Sequence, residues 1–499
     1  MRKAIYLILT IIIFTGQTNN SQKVKPTNTR IDLPSNEENY RTYYVDQTAG
    51  NDANSGTNRM TAWKNCPGME AYSGSGILQP GDTVYFDNSD TWMVAGKQGI
   101  YLVGGVTYLG DSWGPGIRAE IRANTDLSGG VVRFRDHETI PTVFKGFNVD
   151  ANRKVANGID INYTQSTMMN RAVKRVENCE VHHVWSRTSL KQYKYGIIIS
   201  NYGGANGYCE NVEIINCKVH DISRDIICLY PSDIEGSRIR NITVRGCEVY
   251  NSGQDPDYGA GSGICIKGFV VDAFVEYNYI HDVKASGLFI NSNETRHYPG
   301  IGPKNIHLRY NVIGNNTPHG AIKLHDGKSG NDPKDVKIYG NIIYGNPVNL
   351  GLVMLKSLGN ANSLWVYNNT FYNAIIIIDS PSATFPVFEF RNNAAFYAGG
   401  TPIIGEDRFT IYSNNMTDKP AFKNTSELPT GFKGTYGINL APDTDGLSLP
   451  GNSPGIDGGA ALPDPFRGSI NTVIRPFGDA WDIGAYESNT VDKKNLLMR

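Results

Sequence analysis

The stretch GAIKLHDGKSG, at residues 320–330, carries two side chains that could act as acids or bases. Lys323 and His325 alternate with apolar residues, so both should leave the same face of a short strand. A lysine or histidine whose pKa is lowered by burial or by neighbouring cations can serve as a general base, and several cations close together can bind carboxylates. That face is either a chemical surface or the solvated side of a structural repeat.

The elements that would position these side chains belong to an internal repeat. The similar stretches are VENCEVHHV, IINCKVHDI, VRGCEVYNS, VEYNYIHDV, LRYNVIGNN, IYGNIIYGN and VYNNTFYNA. Each is a short alternating strand, and successive copies follow at steps of roughly 30 residues. One position of the repeat is Asn, or once Gly: Asn178, Asn216, Gly246, Asn278, Asn311, Asn341 and Asn369. A second strand recurs with the same step, from GVVRFRD to AIIIID.

Two or three short strands per repeat, with no helical pattern between them, are typical of one turn of a parallel β-helix. The helical period is absent outside the first residues, which excludes helical repeats. We therefore predict an all-β chain that forms a right-handed parallel β-helix, a single-domain solenoid of about ten or more turns. Equivalent residues of successive turns should then lie about 4.8 Å apart.

The second strand of each repeat has apolar inward positions and more varied outward ones. The predicted inward residues are Phe134, Ile161, Ile199, Leu229, Ile266, Ile290, Leu324, Leu355 and Ile378. The outward face of the middle turns is predicted to carry Tyr230, Lys267, Asn291, Lys323, His325 and Lys356. Insertions before Lys267 and after Asn291 could wall a groove and bring loop side chains over it. Those side chains are Asp255, Asp257, Tyr258, Arg296 and His297.

A row of cations at this spacing matches a polyanionic sugar chain. Eliminative cleavage of a uronate polysaccharide needs a base for the proton next to the carboxylate, a cation that neutralises the carboxylate, and an acid for the leaving oxygen. We therefore predict a polysaccharide lyase with an acidic glycan as its partner. The predicted catalytic residues are Lys267, Lys323 and His325, and the predicted substrate-binding residues are Tyr230, Asn291, Arg296, His297 and Lys356. Replacing Lys267 by Ala is expected to abolish turnover and leave folding intact.

Two other functions stay open. Hydrolysis needs two facing carboxyl groups about 5–10 Å apart. It would rest on Asp160, Asp225 or Asp326, although none of these forms an evident pair in the repeat register. A non-catalytic glycan-binding protein would use the same row of cations only for docking.

Other conspicuous residues fit structural columns better than sites. His182 and His183 resemble a metal-binding pair, but His182 shares a repeat position with other rings, which favours a stacked aromatic ladder. The members of that column are His182, His220, Tyr250, His281, Tyr344 and Tyr372. The thiols of Cys179, Cys217 and Cys247 should likewise form a buried column and no disulfides. No metal ligand is assigned from these residues.

Composition limits the possible partners of the protein, and its first residues indicate where it works. Lys and Arg number 47 against 48 for Asp and Glu, which argues against a nucleic-acid partner. Residues 1–20 have a basic start and a short apolar run, as in an export signal. No cysteine lies near the end of that run, and no later segment is long and apolar enough to span a membrane. We expect a secreted or periplasmic monomer with a flexible segment at 21–42, a solenoid with its cap at 43–488 and a tail at 489–499.

Both ends of the solenoid resemble a known group. The opening YYVDQTAGNDANSGTNRMTAWKN with LQPGDTVYF, and the closing SPGIDGG and DIGAYE, are similar to secreted β-helix proteins of the pectate-lyase-like superfamily. The opening resembles polysaccharide lyase family nine, which implies a lysine base and calcium held by clustered aspartates. Lys267 would take the lysine role. Asp160 and Asp225 stand on separate turns without companions, so calcium is a cofactor that only the resemblance implies.

Overall fold

Short strands with alternating apolar residues wind into three long parallel sheets in the computed structural model. The structure describes residues 40–96, 99–163, 171–185, 194–201, 207–231, 237–254, 261–292, 302–315, 319–325, 333–345, 350–354, 363–378, 386–418 and 420–489. Along the chain, most turns supply one strand to sheet A, then one to sheet C, then one to sheet B. The predicted fold, a right-handed parallel β-helix, is confirmed.

Neighbouring strands within each of the three sheets follow one another in chain order. Sheet A contains Thr42–Val45, Thr83–Phe86, Thr107–Leu109, Thr142–Lys145, Lys174–Glu177, Tyr208–Ile215, Arg238–Arg245, Val270–Glu276, Lys304–Arg309, Lys334–Tyr339, Ser363–Tyr367, Val387–Arg391 and Ile411–Ser413. Sheet B contains Ile100–Tyr101, Leu127–Arg133, Val155–Tyr163, Tyr195–Asn201, Ile227–Pro231, Ile264–Lys267, Leu288–Asn291, Ile322–His325, Leu350–Met354, Ile375–Ile378 and Ile403–Ile404. Sheet C contains Thr91–Val94, Ala119–Ala123, Phe147–Asp150, Glu180–Val184, Lys218–Ile222, Glu248–Tyr250, Tyr279–His281, Val312–Gly314, Ile342–Tyr344, Thr370–Tyr372 and Ala394–Phe396. A short antiparallel pair, Phe432–Lys433 with Ala441–Pro442, and the 3-10 helices Arg59–Thr61 and Glu406–Arg408 complete the described elements.

The inward side chains of the three sheets form one continuous apolar core. In sheet B the register pairs Ile199 with Leu229, Leu229 with Ile266 and Ile290 with Leu324, as predicted. The next strand differs by one residue, because Leu324 pairs with the fully buried Met354. The predicted alternation, with Leu355 inward, implies that Met354 points outward, and for Met354 this is wrong. Lys356, which was predicted to lie in the outward row with His325, lies outside the described residues.

The asparagine series also belongs to a different register from the predicted one. In the earlier turns Asn178 and Asn216 adopt positive φ at a bend, and in later turns other residues, such as Tyr277, Tyr310 and Gly340, hold that bend instead. The asparagines of those later turns stand one residue further on, in the same column as the cysteines. There they form a buried chain of amide hydrogen bonds of 3.0–3.2 Å through Asn278, Asn311, Asn341, Asn369, Asn393 and Asn415.

The cysteine prediction is confirmed. All seven cysteines are buried free thiols, and burial raises the pKa of the Cys179 and Cys217 thiols well above their ordinary value. Such thiols pack as small apolar groups in the core.

The C-terminal segment packs along the side of several turns. Phe466 contacts the rings of Tyr339 and Tyr367 at 5.0 and 4.6 Å between centroids. The segment is organised around the fully buried Arg475, which donates to Glu487 Oε2 at 2.8 Å and to backbone carbonyls of the DIGAYE stretch. The DIGAYE stretch therefore binds one buried guanidinium group.

All described residues lie in the compact unit that starts at Glu38. Within those residues, no helix is long and apolar enough to cross a membrane. The predicted export signal, at residues 1–20, falls outside them, so the expected export stays a prediction.

Candidate functional site

A polar pocket of about 160 Å³ opens on the outer face of sheet B. It brings together Lys267, Asn291 and Lys323, three of the predicted site residues. Its remaining lining residues are Arg224, Asp225, Gly261, Ser262, Ala285, Ser286, Phe289 and His319. His325 pairs in register with Asn291 on the next turn and does not line the pocket. The predicted Arg296, His297 and Lys356 lie outside the described residues.

The floor of the pocket is an apolar cluster distinct from the main core. Tyr195, Ile198, Cys228 and Cys265 pack together on the outer face of sheet B, with Tyr230 and Phe289 against them. The Lys267 ammonium lies 5.8 Å from the ring centroids of both Tyr195 and Tyr230. This cluster explains why an outward-facing lysine is only 4% exposed.

Lys267 and Asp225 form a buried ion pair. Lys267 Nζ donates to Asp225 Oδ2 at 2.8 Å, and the other carboxylate oxygen accepts from the Ser262 backbone N–H at 2.9 Å. Burial alone would lower the pKa of Lys267, but the Asp225 carboxylate outweighs it and holds the pKa well above its ordinary value. Burial would raise the pKa of Asp225, yet the ammonium keeps that pKa below its usual range. Both groups are therefore charged at neutral pH.

This ion pair changes the expected chemistry of Lys267. A lysine base was predicted to have neighbouring cations that lower its pKa, whereas the nearest charge is an anion and the pKa is raised. Contrary to the expectation that Lys267 can be replaced without loss of stability, the ion pair predicts a loss, because Asp225 would be left buried and unpaired. The partner could not be recognised from the strand pattern, because Asp225 precedes the strand Ile227–Pro231, and apolar alternation predicts side-chain direction only within a strand.

Lys323 shows the opposite shift. Its side chain is half-buried, its ammonium lies 5.5 Å from the Phe289 ring centroid, and burial lowers its pKa. His319, on the same pocket, has a pKa lowered by burial and by the Lys323 charge. His319 was not predicted from the sequence, since it precedes the strand Ile322–His325 and has no counterpart at the repeat positions. A cationic lysine and a lysine that is more readily deprotonated thus share one pocket.

Further along sheet B, a set of buried acceptors also faces outward. Asp160 is buried, and burial raises its pKa to about 6 against the opposing effect of Arg133. Asp160 Oδ1, Asn162 Oδ1 and Ser200 Oγ have no hydrogen-bond partner within the described part of the chain. Such buried polar atoms are costly unless a ligand or water satisfies them.

The described pocket does not fit calcium. Calcium takes 6–8 oxygen ligands, several of them carboxylates. Among the described lining residues the one carboxylate is Asp225, whose two oxygens already bind Lys267 and Ser262. No catalytic step is therefore derived through a calcium ion.

The predicted aromatic ladder is present on sheet C. His182, His220, Tyr250 and His281 stack at centroid distances of 4.7–5.3 Å with interplanar angles of 8–10°. Gly314 follows His281 in the column, and the Tyr344 and Tyr372 positions continue it. The stacking predicted for this column is confirmed for these four rings.

Comparison with known proteins agrees with the architecture. Residues 144–373 match a family model described as a right handed beta helix region, in agreement with the observed fold. No curated protein gives a match. Among solved structures, the chain is similar to pectate lyase Pel9A, with 14% identity over 90% of this chain and 96% of that chain and a TM-score of 0.49. It is similar to a rhamnogalacturonan lyase, with 14% identity over 82% and 97% and a TM-score of 0.48. It is also similar to the GH136 lacto-N-biosidase from Eubacterium ramulus, with 14% identity over 75% and 67% and a TM-score of 0.40.

Proposed function

We propose that the protein is a polysaccharide lyase that cleaves a uronate-containing glycan by β-elimination. The observation that carries this proposal is the pair of lysines in one pocket whose pKa values are shifted in opposite directions. Groups whose environments push their pKa values apart divide the acid and base roles of a reaction between them. The predicted export signal would place this activity in the periplasm or outside the cell.

In this mechanism Lys323 is the base. Its neutral amine takes the proton from the carbon next to the uronate carboxylate, the glycosidic carbon–oxygen bond breaks, and a carbon–carbon double bond forms in the product. The leaving oxygen acquires a proton from water. Burial of Lys323 favours the neutral amine that this step requires.

Lys267 supplies positive charge. Because Asp225 keeps it protonated, its ammonium cannot act as a base, but it can stabilise the negative charge that develops on the substrate carboxylate. Arg224 lines the same pocket and could bind a carboxylate in bidentate geometry. Asn291, next to Lys267 in the register, offers an amide to sugar hydroxyls.

The test is product chemistry on a panel of uronate polysaccharides, including pectins, alginate, glycosaminoglycans, ulvan and glucuronan. A lyase produces an unsaturated uronate that absorbs in the ultraviolet, and each substrate should be assayed with calcium and with chelator. We expect a rise on one substrate class, undiminished by chelator. New reducing ends without ultraviolet absorbance would contradict elimination.

That second result would favour a glycoside hydrolase. The raised pKa of Asp160 supports this alternative, because a carboxyl group with a pKa of about 6 can donate a proton to a leaving oxygen. Asp160→Asn would then abolish the release of reducing ends, whereas Lys323→Met would leave it intact.

A further inference from the structure

Three metal-ligating atoms converge beside the aromatic ladder, on sheet C and apart from the sheet B pocket. His182 Nδ1 and His183 Nδ1 lie 2.7 Å apart. Asp150 Oδ1 lies 3.3 Å from His183 Nδ1 and 3.7 Å from His182 Nδ1. Ligands of a tetrahedral zinc ion, at about 2.0–2.1 Å from the metal, lie about 3.3 Å from one another. The observed separations bracket that value.

The hydrogen bonds around His182 leave the lone pair of its Nδ1 available to this cluster. His182 Nε2 lies 2.7 Å from Asn148 Oδ1. Because Asn148 presents its oxygen, His182 Nε2 carries the hydrogen and Nδ1 is left as an acceptor. A second-sphere partner on the other ring nitrogen is the usual way in which proteins orient a metal-binding histidine.

Backbone contacts hold the cluster in place before any ion binds. The Ala151 N–H donates to the His182 carbonyl at 3.0 Å, and the Arg153 N–H donates to the His183 carbonyl at 2.8 Å. His183 sits at a bend with φ of 55°, and the His182 ring stacks on the His220 ring. Asp150 Oδ2 accepts from Arg122 at 2.9 Å, and Oδ1 accepts from the Asn152 N–H at 2.7 Å with a second lone pair left over.

Two other turns show that this arrangement is not required by the ladder. His220 is bracketed by the carboxylates of Glu180 and Asp221, at 3.1 and 2.7 Å. His281 is bracketed in the same way by Glu248 and Asp282, at 3.4 and 2.7 Å. At the corresponding places His182 has the amide of Asn148 and the imidazole of His183.

We propose that Asp150, His182 and His183 form a binding site for a divalent transition ion of the zinc type. Two imidazole nitrogens and one carboxylate oxygen suit this class of metal. The His183 side chain is 39% exposed, whereas His182 and Asp150 are 12% and 7% exposed, so the fourth coordination position opens to solvent beside His183. On binding, the ion takes the place of the hydrogen between the two Nδ1 atoms, and His183 then carries its hydrogen on Nε2.

The test is zinc binding to the mature chain, freed of any affinity tag and treated first with chelator. Isothermal titration with zinc chloride should give one site for the wild type. His183→Asn tolerates the bend and lacks a strong ligand, and it should bind zinc at least about ten-fold more weakly. Zinc should raise the melting temperature of the wild type and leave that of His183→Asn unchanged.

His281→Gln is the matched control, because it alters the same ladder at a turn without the cluster. It should bind zinc as the wild type does, and Asp150→Asn should lose affinity like His183→Asn. The proposal is overturned if the wild type binds no zinc, or if His183→Asn and Asp150→Asn bind it as tightly as the wild type. None of these readouts depends on glycan cleavage.

Discussion

The sheet B pocket and the sheet C ladder are built from the same stacked turns, yet they use the stack in opposite ways. On sheet C, successive turns present similar rings, and His220, Tyr250 and His281 stack face to face. On sheet B, successive turns present unlike groups, such as the Lys267 ammonium beside the Asn291 amide. Equal spacing therefore gives a packed structural column in one case and a mixed set of charges in the other.

The difference shows that repeat position does not define chemistry by itself. Lys267 and Lys323 both leave the outer face of sheet B, but a carboxylate from outside the aligned strands holds one protonated, and burial favours the neutral form of the other. A residue that precedes a strand therefore decides that Lys267 stays protonated. Four substitutions test this difference between the sheet B pocket and the structural columns.

The largest effect is expected at Lys323. Replacing Lys323 by Met removes the proposed base and should lower the rate of unsaturated product formation by about 10²–10⁴-fold. The melting temperature should stay the same, since no ion pair of Lys323 is present among the described residues. The proposed activity should also rise with pH through the lowered pKa of Lys323, because the base must lose its proton.

Lys337→Met is the matched control for that variant. Lys337 is also a half-buried lysine whose pKa is lowered by burial, and it lies over the Trp365 ring at 5.2 Å. It stands on sheet A, away from the pocket, so full activity is expected. Equal losses in both variants would remove Lys323 from the mechanism.

At Lys267 the expected effect is mainly on stability. Lys267→Met leaves the Asp225 carboxylate buried without its cation, which should cost about 3–5 kcal/mol in the free energy of unfolding. The double variant Lys267→Met with Asp225→Leu should recover most of that loss in chemical denaturation. Its glycan cleavage should stay low, because the cation near the substrate carboxylate is absent. A stable single variant would show that water reaches Asp225.

The buried column of asparagines has a purely structural role, and one substitution in it should lower the stability. Asn341→Leu breaks the amide chain that runs through Asn311 and Asn369, and should cost about 1–3 kcal/mol because buried partners lose their hydrogen bonds. Cys217→Val, in the same column, should cost less than about 1.5 kcal/mol, since the thiol packs as an apolar group. Denaturant unfolding measures both, and equal costs would contradict the amide chain.

Much of the fold was predictable from the sequence. The alternation of apolar residues fixes which side of a strand is buried, so the inward column from Ile161 to Leu324 was placed correctly. The error at Met354 has a physical cause. In GLVMLK, apolar residues occupy both faces, so alternation does not choose between two registers.

The candidate site was less predictable. Lys267, Asn291 and Lys323 were placed on one face by strand register alone, and the pocket contains all three. Asp225 and His319 precede strands of sheet B, where apolar alternation does not predict the direction of a side chain. The sign of a lysine pKa shift depends on such partners, so it could not follow from strand pattern.

The smallest effect is expected at His281, whose ring contacts two carboxylates beside the ladder. Burial alone would lower the pKa of His281, but hydrogen bonds to Glu248 and Asp282 raise it above the ordinary value. The resulting stabilisation is present in full below about pH 6.5 and is lost as the pH rises through the raised pKa. His281→Gln should therefore be less stable than the wild type in mild acid, by at most about 1 kcal/mol because the carboxylates are partly exposed. Melting temperatures of the two proteins should converge in alkaline buffer, whereas a constant difference would mean that ring stacking, and not charge, is what His281 adds to the ladder.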